Sequence, residues 1–189
     1  MIHHRVLDQD KVLAAACDVV KAEGIQALTY RRLAHDLNIR SQSLYNYFPN
    51  LEGLIETMGT HFMQALYQQL TEALTGVAGI EALRVYAQTA HDYFDGQGNL
   101  FEVLYYVHRY DADSPFVQAT AQVLGMLKKL INGVRLKTMH HEAFTQGLIS
   151  SVLGFTVIEI MGLIPSPAPA RRKNFHQMLG LYLGDVITD

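Results

Sequence analysis

Apolar residues return along this chain at steps of three and four, the period that lines one face of an α-helix, and nowhere over a useful length at the step of two that marks a half-buried strand. Leu13, Ala16, Cys17 and Val20 form an inward stripe in the first such segment. A long segment over about 51–74 places Leu51, Ile55, Met58, Phe62, Leu66, Leu70 and Leu74 in register. Further helices are predicted at about 79–95 (Ile80, Leu83, Ala87, Ala90, Phe94), 99–108, 114–136 (Val117, Ala121, Leu124, Ile131), 141–163 and 169–187. DGQGN, DADSP and SPAPA supply the breaks between them. With two short helices before residue 50 and no internal repeat, the pattern predicts an all-α chain of about nine helices.

Residues 28–54, LTYRRLAHDLNIRSQSLYNYFPNLEGL, carry the most chemistry. Thr29 stands at an N-cap position, where its hydroxyl accepts an otherwise orphaned backbone N–H. The helix behind it turns Leu33, Ala34 and Leu37 inward and leaves Arg31, Arg32, His35 and Asp36 outward. Asn38 marks a turn, and a second N-cap is expected at about Ser41. In SQSLYNY, Leu44 is the apolar anchor, and Gln42, Ser43, Asn46 and at least one tyrosine project outward. Two short amphipathic helices around a tight polar turn are the layout of a helix-turn-helix that reads DNA. Gln42 and Asn46 suit adenine edges and Arg40 suits guanine or phosphate. Thr29, Ser41, Tyr45 and Tyr47 suit phosphate, with Tyr45 equally able to pack inward, and Arg32 is assigned to the DNA backbone. The expected DNA-binding set is therefore Thr29, Arg31, Arg32, Arg40, Ser41, Gln42, Ser43, Tyr45, Asn46 and Tyr47.

Over roughly residues 8–58 the sequence resembles the tetracycline-repressor-type (TetR) family. AAACDVVKAEG is similar to the family's first helix ending at Gly24, LTYRRLAHDLNI to its second helix and turn, and SQSLYNYFPNLEGL to its recognition helix running into a long fourth helix. Thr29, Leu33-Ala34, Leu44-Tyr45, Phe48 and Leu54 fall together at the family's offsets. Two positions depart from it. Asn38 stands where Gly is frequent, a mild change because Asn tolerates left-handed backbone; Leu51 stands where a phosphate-binding Lys is frequent, so that contact does not carry over. The resemblance implies a homodimeric regulator, a repressor by family tendency, with an N-terminal three-helix DNA-binding domain (1–50) and a helical ligand-binding and dimerisation domain (51–189).

Composition agrees with a folded regulator. The 189 residues are 49% hydrophobic and 17% charged, enough for an ordinary core. The formal charge of −3 is uneven: residues 1–55 hold six Lys/Arg and six Asp/Glu, so the DNA module is neutral and the remainder acidic. Neutrality predicts modest non-specific affinity, since phosphate neutralisation supplies most of it. Between Tyr30 and Tyr47, however, there are three arginines and one aspartate.

Other classes find less support. Cys17 sits on an inward stripe, as a small hydrophobe rather than a redox sensor, and one cysteine allows no intrachain disulfide. The N-terminus lacks the apolar stretch of a signal peptide, which suits a cytoplasmic protein. The run Leu148–Ile164 approaches a membrane span in length but contains Ser150, Ser151, Thr156 and Glu159, so a buried helix at a subunit interface is expected and no membrane partner. The histidine pairs His3-His4 and His140-His141 are adjacent rather than four apart, and neither a metal nor a cofactor is expected. No GxSxG, Gly-rich phosphate loop, HExxH or Glu-x-x-His pair supports an enzyme. A small helical enzyme and a helical adaptor that has lost DNA binding are the rival readings, the adaptor favoured by Leu51 and the neutral charge.

The last two segments are the expected dimer interface. Residues 148–164 are apolar on nearly all sides, with Gly154 and Gly162 permitting close approach. Phe175, Met178, Leu179, Tyr182 and Val186 make a second stripe flanked by Gly180 and Gly184. A two-fold dimer presents two recognition helices to a palindromic operator. For an unknown effector, Phe62, Leu66, Tyr86, Phe94, Tyr105, Tyr106, Phe155 and Glu159 are the expected binding residues, in helices that also hold Met63, Tyr67, His108 and Met161. As a group they favour an apolar or aromatic ligand. Glu159 is the exception, a carboxylate in an apolar helix that needs a partner in the protein or on the ligand.

Overall fold

The computed structural model describes residues 7–188, so that His3, His4 and Arg5 lie outside the described residues. It is all-helical: α1 (Gln9–Glu23), α2 (Tyr30–Asp36), α3 (Ser41–Leu44), α4 (Leu51–Ala73), α5 (Gly79–Gln97), α6 (Pro115–Asn132), α7 (His141–Ile160) and α8 (Ala168–Leu183), with 3-10 turns at Ile25–Ala27 and Gly98–Arg109. Among the described residues, eight α-helices and two 3-10 segments stand where about nine helices are expected. The segment foreseen as a helix at 99–108 is wound as 3-10 instead, beginning at Gly98 with φ +54, a left-handed value that breaks the α register. DGQ does not stop α5, which runs through Gly96 to Gln97. α6 ends at Asn132, four residues before the expected stop at 136, where Gly133 N–H turns back to the Leu130 carbonyl at 3.1 Å.

By compactness the chain divides into two units, and the division is not a single cut. One unit comprises the described residues to Met63 together with Gln97–Ala119; the other comprises Gln64–Gly96 and the described residues from Thr120 onward. In the first, Val12, Leu13, Ala16, Val19 and Val20 of α1 are buried with Leu33, Leu44, Phe48, Leu54 and Met58. Phe116, fully buried, lies where α4 has Gly59: a Cβ there would stand 2.4 Å from the Phe116 ring. The 3-10 segment is tied into this unit by polar contacts. Glu102 accepts the Ile25 N–H at 2.8 Å, Asn99 donates to the Lys21 carbonyl at 3.2 Å, and Tyr110 donates to the Glu52 carbonyl at 2.8 Å.

In the second unit, Leu66, Leu70, Leu83, Tyr86, Phe94, Leu127, Ile131, Phe144 and Phe175 are buried, and the Tyr86 hydroxyl donates to the Val123 carbonyl at 2.9 Å. Burial pushes that hydroxyl well above its ordinary pKa. The link between α6 and α7 is fastened to the chain beyond α8. Lys137 N–H donates to the Asp185 carbonyl and Ile187 N–H to that of Arg135, both at 2.8 Å, while the Asp185 carboxylate accepts from Thr138 and Met139. α7 and α8 approach closely at Gly147, whose missing side chain leaves room for Tyr182, and Ser151 donates to the Tyr182 hydroxyl at 2.8 Å.

Within the single chain α7 is buried along one stripe, on which Phe144, Thr145, Leu148, Val152 and Thr156 turn inward. α7 is long and apolar enough to cross a membrane by length and composition, with a mean hydropathy of 1.5 over its most apolar window. It ends at Gly162 (φ +64), where Gly162 N–H reaches Glu159 O and Leu163 N–H reaches Ile158 O. That is a Schellman closure, and Gly is the residue that accepts its left-handed step.

Candidate nucleic-acid interface

Local chemistry explains each bend of the first unit. Asp8 caps α1 by accepting the Lys11 N–H at 2.9 Å, and the hydrogen bonds and charge of Lys11 hold its carboxyl below the usual range. α1 stops at Gly24 (φ +81), which frees the chain to swing through the 3-10 turn toward Thr29. The Thr29 hydroxyl accepts the Arg32 N–H at 3.1 Å, the cap expected from sequence. α2 closes on Asn38 at φ +53, with Asn38 N–H bonded to His35 O and Ile39 N–H to Ala34 O, again a Schellman closure. Asn therefore does here what Gly commonly does.

The recognition segment corrects one expectation. Arg40, not Ser41, is the N-cap of α3; its extended backbone leads into the helix and its carbonyl accepts the Ser43 N–H at 2.9 Å, with no side-chain cap. Ser41 is the first helical residue, so its hydroxyl is left free of the capping role. After Leu44 the chain continues in tight turns, with Tyr47 N–H and Phe48 N–H both returning to the Leu44 carbonyl at 3.0 Å. Leu44 is completely buried and Phe48 nearly so, which pins the segment at both ends and leaves Arg40, Gln42, Tyr45 and Asn46 exposed, with Ser41 and Ser43 half-buried.

Three aromatic and charged side chains have intramolecular partners that sequence did not reveal. The Tyr30 hydroxyl donates to the Phe48 carbonyl at 2.6 Å while its ring meets Tyr45 edge-on at 4.9 Å, so Tyr30 locks α2 to the end of the recognition segment. Tyr47 donates to the Leu7 carbonyl at 2.9 Å. Arg32 is gripped by Glu23 at 2.7 Å and Asp36 at 2.8 Å, and these hydrogen bonds, Glu23's first, raise its already high pKa further. Arg31, by contrast, is exposed on the same helix with no ion pair among the described residues. Asn50 was also missed: its side chain accepts the Gly53 N–H at 2.7 Å and caps α4, a signal present in the sequence as Asn one residue before an apolar helix. Cys17 is half-buried, and burial pushes its thiol up, away from the reactive thiolate.

The expected effector residues fall in both units. Phe62, Tyr105 and Tyr106 belong to the first: Phe62 is buried, Tyr105 exposed, and Tyr106 lies under the Arg109 guanidinium at 4.6 Å. Leu66, Tyr86, Phe94, Phe155 and Glu159 belong to the second, where Leu66, Tyr86 and Phe94 are core residues. There Phe155 packs edge-on against Phe175 at 5.3 Å, and Glu159 has found a protein partner, the His91 ring, at 2.7 Å. Among the described residues no group of three or more His, Cys, Asp or Glu is arranged to hold a metal ion.

Comparison with known proteins gives the same picture. Residues 12–58 match the family model of bacterial regulatory proteins, tetR family, a span that begins within α1 and ends within α4. The chain is 27% identical over 156 residues to the uncharacterized HTH-type transcriptional regulator YobS of Bacillus subtilis (strain 168), covering 80% of this chain and 78% of that one. Its fold is shared with a protein of unknown function from Rhodococcus sp. RHA1 (TM-score 0.83, 13% identity, 100% of both chains). It is shared also with Mycobacterium smegmatis BioQ (TM-score 0.70, 22% identity, 94% of this chain and 97% of that one). The TetR family transcriptional regulator PfmR from Thermus thermophilus is a further match (TM-score 0.68, 17% identity, 90% and 97%). With a helix-turn-helix segment that matches the family model, an HTH-type regulator similar over four-fifths of this chain and a shared fold, the chain is similar to the TetR family of transcriptional regulators.

Proposed function

We propose that this chain is a homodimeric repressor that binds a palindromic operator and is released by a small molecule. The observation that carries the reading is the recognition segment itself: buried Leu44 and Phe48 anchor it, and Arg40, Gln42 and Asn46 stand exposed along it. Gln42 and Asn46 read adenine edges and Arg40 a guanine or a phosphate, while Thr29, Arg31, Ser41, Ser43 and Tyr45 hold the DNA backbone and Tyr47, whose hydroxyl already donates to the Leu7 carbonyl, serves by positioning. Arg32 serves by positioning, since two carboxylates already occupy its guanidinium. The exposed apolar residues of α7 and α8 form the dimer interface, which sets the spacing of the two recognition segments.

In the proposed mechanism an effector held by the later helices favours a conformation unable to match the operator. The coupling energy is the effector's preference for that state. α4, which begins in the first compact unit and ends in the second, is the continuous path along which the change passes.

The test is retention of sheared genomic DNA from the source organism at moderate salt, with the bound fragments sequenced. A two-fold motif among them, bound with affinity that falls linearly in log salt, is the expected result. A folded protein that retains no DNA at any salt would overturn the reading in favour of a helical adaptor.

A further inference from the structure

The second unit contains a cleft of about 340 Å³ whose two walls carry opposite charge. On one wall stand Asp92 and Asp95 of α5 and Glu159 of α7. On the other stand Arg171 and Arg172, next to Ala168 at the start of α8, where the helix dipole adds positive potential. His91 lies at the carboxylate wall. Its Nε2 is 2.7 Å from Glu159 Oε2 and its Nδ1 3.2 Å from Asp92 Oδ1, while its ring stacks on Phe175 at 4.0 Å.

Two observations mark this cleft as more than a solvated gap. The Glu159 side chain is more than nine-tenths buried and only its Oε2 has a protein partner; no buried side-chain oxygen among the described residues lacks a partner, so its other oxygen is the part left accessible, and Glu159 lines the cleft. No ion pair among the described residues crosses the cleft, although arginines and carboxylates line its two sides. Here Arg171 stands one helical turn before Phe175, whose ring is fixed against His91, so the wall that carries the arginine is set by core packing.

We propose that the cleft binds a small zwitterion of the α-amino-acid class. The ammonium donates to the free oxygen of Glu159 and is flanked by Asp92 and Asp95, and the carboxylate is held by Arg171 and Arg172. A ligand with separated charges of both signs matches a site lined by separated charges of both signs; a simple anion or cation would satisfy one wall and be repelled by the other. As the effector site of a repressor this assignment rests on the function proposed above, whereas as a binding site it does not.

Thermal denaturation of the full chain with each standard amino acid, followed by calorimetric titration of those that raise Tm, tests it. At least one amino acid is expected to bind, while its N-acetyl and methyl-ester derivatives, each lacking one charge, bind about tenfold or more weakly. Arg171→Gln with Arg172→Gln, on the rim, is expected to weaken binding by a similar factor, and Glu159→Gln, nearly isosteric, likewise. No rise in Tm with any amino acid, or equal affinity of the capped derivatives or of the arginine double variant, overturns the proposal. Operator retention is measured separately. Binding without any effect on retention leaves the site standing and removes only its role as effector site.

Discussion

The carboxylate of Glu102 accepts the backbone N–H of Ile25 at 2.8 Å across 77 residues of sequence. Ile25 follows Gly24, the left-handed stop of α1, and opens the 3-10 turn Ile25–Ala27, so Glu102 satisfies a donor that the start of that turn would otherwise orphan. The 3-10 segment that supplies Glu102 is thereby part of the helix-turn-helix unit. Glu102→Ala is expected to destabilise this unit by about 1–3 kcal/mol, the usual consequence of stranding a half-buried donor. Glu102→Gln, whose amide oxygen still accepts, should lose less. Urea denaturation of the two variants checks the order, and equal losses would assign the effect to charge rather than to the N–H.

Gly59 and Phe116 predict a steric conflict. A methyl group on Gly59 would lie 2.4 Å from a ring that is completely buried, and a packed aromatic cannot retreat without disturbing its neighbours. Gly59→Ala should therefore cost about 1–3 kcal/mol, although alanine is the better helix former. Adding Phe116→Leu should make the pair markedly non-additive, with the double variant more stable than the sum of the two single losses implies. Chemical denaturation of the four proteins in the cycle provides the measurement.

Arg31 and Arg32 are neighbours in sequence with different expected roles. Arg32 is held by Glu23 and Asp36, while Arg31 is free of ion pairs among the described residues. Removing a true phosphate contact lowers the slope of log affinity against log salt by about one. Arg31→Ala is expected to do so and Arg32→Ala to leave the slope unchanged. Equal drops would mean that Arg32 exchanges its carboxylates for phosphate on the DNA.

Most helix positions, the Thr29 cap, the Asn38 turn and the inward residues Leu33 and Leu44 were legible, because each depends on residues within a turn or two of one another; the 3-10 winding of Gly98–Arg109 is the exception. Long-range polar contacts were not. Nothing around Glu102 announces Ile25 as its partner, and nothing around Glu159 announces His91, because side-chain partners 77 and 68 residues apart are fixed only by packing. The same holds at shorter range for Arg32, whose bond to Glu23 depends on the angle set by Gly24 between α1 and α2. The aromatic effector set was drawn from composition along helices, and periodicity does not distinguish a core tyrosine such as Tyr86 from a ligand-facing one.

Asp185 carries a pH dependence. Hydrogen bonds from the Thr138 hydroxyl first, then the Met139 and Thr138 N–H groups, hold its carboxyl below the ordinary range. A depressed folded-state pKa means that the unfolded chain binds the proton more readily. The associated stability is therefore complete above the unfolded value of about 3.9 and is lost as pH falls through the folded one. Asp185→Asn should lower Tm at neutral pH, and the gap from the parent protein should narrow steadily below about pH 4. Tm recorded for both proteins across that range decides it; a constant gap would mean that the carboxylate's charge is immaterial.

Leu181 is 79% exposed, and Met161, Leu163 and Ile164 beyond α7 are more than 60% exposed. Large aliphatic side chains in open water at the ends of two adjoining helices are the residues a second copy would cover, at roughly 25 cal/mol for each Å² of apolar surface removed. On α8, Leu181 lies on the flank away from the buried line of Phe175, Leu179 and Leu183, so a charge placed there leaves the packing within the chain intact. Leu181→Glu is accordingly expected to fold with nearly unchanged helicity and to sediment as a monomer at micromolar concentration, where the parent is expected to sediment as a dimer. In a two-fold interface each substitution appears on both chains, so one carboxylate per chain is felt twice. The monomer should also lose most of its operator affinity, because a single recognition segment engages only half of the palindrome. A variant that stays dimeric would move the interface off α8.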